Sequence, residues 1–199
     1  MTPLVAALAT GGATYAAWQV ARTIATHRGL TIGALPAVLP PLVAALAAIA
    51  AACRPLALAP IAVLAIVSVA AVVDARTGLI FDPLTLALIG FALLAAGVQG
   101  TLGDALIGGG ATGGALLALF VVTAGRGIGL GDVKLAGGIG AGFGLAPGCT
   151  ALGLAFTFGG AYGAWLLVQR KATRGSAIRF GPFIATGTYI ALLVPDGIR

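Results

Sequence analysis

The run LALAPIAVLAIVSVAAVV, residues 56–73, contains no charged residue and ends directly on Asp74. About 18 consecutive apolar residues suit a helix immersed in a bilayer, where every backbone amide must be satisfied within the segment. Similar runs lie outward on both sides, at about residues 3–21, 35–52, 83–98, 104–124, 133–147, 149–169 and 180–195. With 60% hydrophobic and 8% charged residues, the chain cannot build a water-soluble surface. The expected fold is all-α: a polytopic transmembrane helical bundle of about eight hydrophobic segments, six at the fewest, forming one integral membrane domain over residues 1–199.

The sixth segment is short. Some fifteen residues rise only ~22 Å against a hydrocarbon core of ~30 Å, so it is tilted, broken or re-entrant. The first apolar run carries no basic residue before Arg22, the reverse of a cleaved secretory signal, and is read as a spanning helix.

The net charge of +6 would suggest nucleic acid in a soluble protein, but the cations sit in short gaps between apolar runs. They read as anchors against membrane lipid, and no nucleic-acid partner is expected. An N-terminus outside puts Arg22, Arg28, Arg76, Arg126, Lys134, Arg170, Lys171, Arg174 and Arg179 on the inner side, and leaves Arg54 and Arg199 outside. That asymmetry sets the expected orientation. It also brings Asp74 and Asp132 to the cytoplasmic boundary, although no carboxylate entered the argument.

Glycine occurs 32 times, with pairs four residues apart such as Gly110 and Gly114, or Gly138 and Gly142. Small residues at that spacing let helices approach closely in lipid. A tightly packed bundle therefore explains most of them.

The inventory of reactive side chains is narrow: no glutamate, one histidine (His27), two serines (Ser68, Ser176) and two cysteines (Cys53, Cys149) without a Cys-x-x-Cys pair. Zinc-protease helices, serine triads and cysteine–histidine pairs cannot be assembled from it, and neither a metal nor a cofactor site is expected. The cysteines read as small buried hydrophobes rather than a disulfide, and His27 as solvated.

Five aspartates remain. Asp82 before Pro83 reads as the N-cap of the fourth helix, Asp104 as a cap of the fifth, and Asp196 as a solvated terminal residue. Asp74 closes the third helix, where the helix dipole disfavours a carboxylate, so capping does not explain it. Neutralisation by Arg76 is one reading and chemistry is the other. Asp132, after Gly129-Leu130-Gly131, is either an N-cap or an acid held in a cavity wall by unshielded backbone. Lys134 either reaches the interface or tunes that acid.

These residues carry a resemblance. Gly129-Leu130-Gly131-Asp132-Val133-Lys134 resembles the Gly-x-Gly-Asp-x-Lys segment of type IV prepilin peptidases, the GxGD membrane aspartic proteases. The stretch from Asp74 through Asp82, Pro83, Leu84 and Thr85 is similar to the family's first aspartate motif, with Phe81 where proline is usual. Phe180-Gly181-Pro182 resembles the opening of the family's last helix. Together the echoes cover residues 56–195.

The resemblance implies catalytic Asp74 and Asp132, supported by Gly129, Gly131, Lys134, Arg76, Phe180, Gly181 and Pro182. It implies a prepilin-like substrate, whose short basic leader is cut after a glycine at the cytosolic membrane edge, leaving an apolar N-terminal helix in the bilayer. The gap between the first two segments, about residues 22–36, holds no cysteine. The cysteine quartet associated with N-methylation is therefore missing from it, as in the short peptidases of tight-adherence pili and archaeal flagella. Two carboxylates a few ångströms apart cannot both ionise cheaply, so the pair would share a proton and a water. A proton-coupled transporter and a catalytically inactive pilus-assembly subunit are the competing readings.

Overall fold

A computed structural model describes residues 3–53, 58–171, 173 and 178–193. Arg54, Arg174, Ser176, Asp196 and Arg199 lie outside the described residues, as does the side chain of Cys53. The described residues form eight α-helices: α1 (Pro3–His27), α2 (Leu39–Cys53), α3 (Leu58–Thr77), α4 (Asp82–Gln99), α5 (Leu102–Val122), α6 (Leu130–Phe143), α7 (Leu145–Val168) and α8 (Gly181–Leu193). Four stretches, Pro60–Thr77, Asp82–Gln99, Leu102–Val122 and Leu145–Val168, are long and apolar enough to cross a membrane. Apolar side chains face outward along them, including Leu94, Val98, Val121 and Val168. That is the surface of a helical membrane protein.

Helix boundaries depart from the sequence reading where they matter for the site. The first helix continues to His27 and the third to Thr77, so Asp74 lies in the last turn of α3 rather than at its end. The sixth begins at Leu130, which puts Asp132 and Lys134 inside α6. At 14 residues it rises only ~21 Å. Charged residues at these ends are tolerated by a helix once its apolar face is packed, because tertiary burial outweighs local propensity.

Two buried clusters hold the bundle. One joins α3, α4, α6, α7 and α8 through Val67, Leu88, Leu135, Ile139, Leu152 and Ile184. The other packs Trp18 and Ala21 of α1 against Val69 and Val73 of α3, with Phe81 beside them. Between α5, α6 and α7 the contact is backbone on backbone. A Cβ at Gly108 would strike the Gly140 carbonyl, and one at Gly148 would stop 3.0 Å from the Gly140 Cα. Thr112 Oγ1 donates across this seam to the Ala136 carbonyl at 2.8 Å. Gly138 and Gly142 also pack tightly, against Leu88 and Val63, but Gly110 and Gly114 face open space and are not a packing pair.

The capping assignments of two aspartates are corrected. Phe81, not Asp82, is the N-cap of α4, and Thr101 precedes α5, with Asp104 in its first turn. Phe81 is fully buried with φ −74° and ψ 128°, dihedrals that proline itself adopts, so phenylalanine leaves this turn unchanged. Cys149 is an exposed free thiol rather than a buried one, because its helix turns that face outward.

Candidate active site

One end of the bundle gathers the C-terminus of α3 and the N-termini of α4, α6 and α8. The turn from α3 to α4 closes on Gly78, whose φ of +70° suits glycine and whose amide donates to the Asp74 carbonyl at 2.7 Å. This turn carries Ile80 to the start of α6. A Cβ at Gly131 would lie 2.8 Å from the Ile80 Cβ, so only glycine lets α6 begin this close to the α3–α4 turn.

Asp74 is 5% exposed. Its Oδ2 accepts the amide of Gly181, the first residue of α8, at 2.9 Å. An unsatisfied helix-start amide is a natural partner for a carboxylate, and it offsets the unfavourable α3 terminus inferred from sequence. A Cβ at Gly181 would sit 2.9 Å from Asp74 Oδ2 and 3.0 Å from its Cβ, so the approach requires glycine. Phe180 packs beside this turn against Phe156, the two rings tilted at 42° with centroids 5.1 Å apart.

Asp132 is 9% exposed and occupies the third position of α6, not the cap. Its Oδ2 accepts the Gly129 amide at 3.1 Å, the backward half of a capping box whose forward half glycine cannot supply. Asp132 Oδ1 is buried with no hydrogen-bond partner among the described residues. Buried polar atoms are nearly always paired, so this orphaned oxygen marks a place for a water or a substrate group. Asp74 and Asp132, remote in sequence, lie within electrostatic reach of each other.

The two cations expected beside these acids point elsewhere. Arg76 donates to the carbonyls of Ile32 and Ala34, the latter at 2.8 Å, and its guanidinium lies 5.4 Å from the centre of the Trp18 ring. It ties the α1–α2 connection to the bundle and does not neutralise Asp74. Lys134 Nζ pairs with Asp82 Oδ1 at 2.7 Å, joining the starts of α6 and α4. That pair is partly exposed, and a double-mutant cycle of Lys134→Met and Asp82→Asn, followed by thermal unfolding, is expected to return about 0.5 kcal/mol of coupling.

Among the described residues, the cation within electrostatic reach of Asp74 is Arg179, which the sequence alone suggested only as a membrane anchor. It donates to the Ala75 carbonyl. Its position just before Phe180-Gly181-Pro182 was the available signal.

Fold and surface thus define an integral membrane protein of helical type, with two buried acids at one end of its bundle. The model of the type IV leader peptidase family matches residues 61–164, just over half of the chain, and includes both acids. The chain belongs to that family and is a leader-peptidase-like protease. No curated protein and no solved structure matches it.

Proposed function

We propose that the chain is an aspartic endopeptidase that removes the short basic leader of prepilin-like precursors at the cytoplasmic boundary of the inner membrane. The observation that carries this reading is that two buried carboxylates, from α3 and α6, lie at the same end of the bundle within electrostatic reach of each other. Each already spends one oxygen on a backbone amide, and Asp132 Oδ1 has no hydrogen-bond partner among the described residues.

In this mechanism Asp74 and Asp132 share one proton and hold a water between them. One carboxylate takes a proton from the water as its oxygen attacks the scissile carbonyl. The other, protonated, hydrogen-bonds that carbonyl oxygen and stabilises the charge that develops there. Collapse of the tetrahedral intermediate returns a proton to the leaving amine, and the dyad regains its starting state with the next water. The titration belongs to the pair.

The cation asymmetry supports an N-terminus outside and the acids on the cytoplasmic side. The connection at residues 28–38 lacks cysteine, which supports a peptidase without methyltransferase activity.

The test is cleavage of a purified prepilin by the detergent-solubilised protein, read by mass spectrometry. A single cut after the leader's terminal glycine, with no methyl group added to the new N-terminus, is expected; an intact precursor would overturn the reading. Gly181→Ala probes the support of Asp74. The added methyl presses on that carboxylate, so kcat is expected to fall about tenfold, with a shift in thermal midpoint of only a few degrees.

A further inference from the structure

We infer that the groove between α2, α3 and α8 seats the apolar helix of the precursor during cleavage. This inference rests on the peptidase reading above. The groove has a volume of about 430 Å³. Its lining includes Ala71 and Ala75 of α3 and Ala185 of α8, small residues that admit a helix backbone closely, and Leu42 and Leu46 of α2 stand along its edge. Among the described residues, no charged side chain lines it. Its hydroxyls are already satisfied: Ser68 and Tyr189 bond each other at 2.6 Å, and Thr186 donates to the Pro182 carbonyl at 2.9 Å. Nothing in the lining selects a polar occupant.

Two features favour a substrate helix over a lipid chain. The groove ends at Ala75 and Pro182, the chain neighbours of Asp74 and Gly181, so its end lies one residue along each helix from the 2.9 Å contact that holds the candidate acid. Along α8 it extends from Pro182 to Leu193, roughly 17 Å or three helical turns. In addition, α2 packs chiefly against α1 and touches α3 and α8 only lightly, which leaves the groove's side open to the bilayer. A helix lying here emerges next to the last turn of α3, which carries Asp74, and a bond at the start of that helix is the one that has to be cut.

The test fills the groove. Thr186→Trp and Leu42→Trp are compared with Leu94→Trp, which alters an outward residue of α4 that is 68% exposed and outside the groove. The groove variants are expected to raise KM for a full precursor about tenfold with kcat little changed, and Leu94→Trp to leave both unchanged. An unaltered KM in both groove variants, with active wild type, overturns the groove assignment alone. A wild type that cuts no precursor overturns the peptidase reading and the groove with it. Independently of those substitutions, p-benzoylphenylalanine in place of Thr186 is expected to photocrosslink to the precursor's apolar helix; crosslinks only to lipid or to a second copy of this chain overturn the assignment.

Discussion

Asp132→Asn is expected to reduce leader cleavage by a factor on the order of 10³ or more, and Asp74→Asn by a similar factor. Asparagine keeps the shape of the side chain and can still accept the Gly129 or Gly181 amide, so both variants should fold. What each loses is the capacity to take or give a proton. Because the acids act as one unit, the double variant is expected to be no slower than either single one. The measurement is single-turnover cleavage of a purified prepilin, alongside thermal unfolding in the same detergent. Full activity in either variant would remove that residue from the mechanism, and a collapse in thermal midpoint would assign it to structure instead.

Gly140→Leu is expected to have the largest effect on stability. At this position α6 meets α5 without side chains between them, and a Cβ would strike Thr112 Oγ1 and the Gly108 carbonyl. Helix α7 closes the third side through Gly148. The helices would have to separate, which also breaks the bond from Thr112 to the Ala136 carbonyl. Overpacking of this kind costs about 3 kcal/mol, lowering the midpoint by roughly 10 °C in a chain of this size. Gly110→Leu, where a Cβ meets nothing within 4 Å, is the control and should leave the midpoint unchanged or raise it slightly. Equal effects at the two positions would contradict the packing described for α5 and α6.

These two predictions draw on different kinds of information. The candidate acids could be singled out in the chain because the inventory is so small: with no glutamate and a single histidine, hydrolytic chemistry has few places to reside. The glycine pairs could not be sorted in the same way. Gly110–Gly114 and Gly138–Gly142 share a spacing, yet only the second pair is packed, since spacing defines a helix face without saying what that face meets.

The charged neighbours show the same boundary. Arg76 and Lys134 each follow an acid by two positions, and in a linear reading each is the natural counterion. Once α3 is helical to Thr77 and α6 from Leu130, residues two apart point away from each other, so Arg76 reaches the α1–α2 connection and Lys134 reaches Asp82. Arg179 is far from Asp74 in sequence, but the crossing of α3 and α8 brings it within electrostatic reach.

The chain alone determined its apolar character, its succession of helical segments and two candidate acids, because hydrophobicity, runs of apolar residues and residue type are local properties. The family resemblance was legible for the same reason. Only the tertiary structure decided which amide holds each carboxylate, which oxygen lacks a partner among the described residues, that Arg179 lies within electrostatic reach of Asp74, and that a groove ends at the neighbouring Ala75. Those are properties of how helix ends converge, and convergence is set by backbone approach at residues such as Gly131 and Gly181, whose neighbours in space come from distant parts of the sequence.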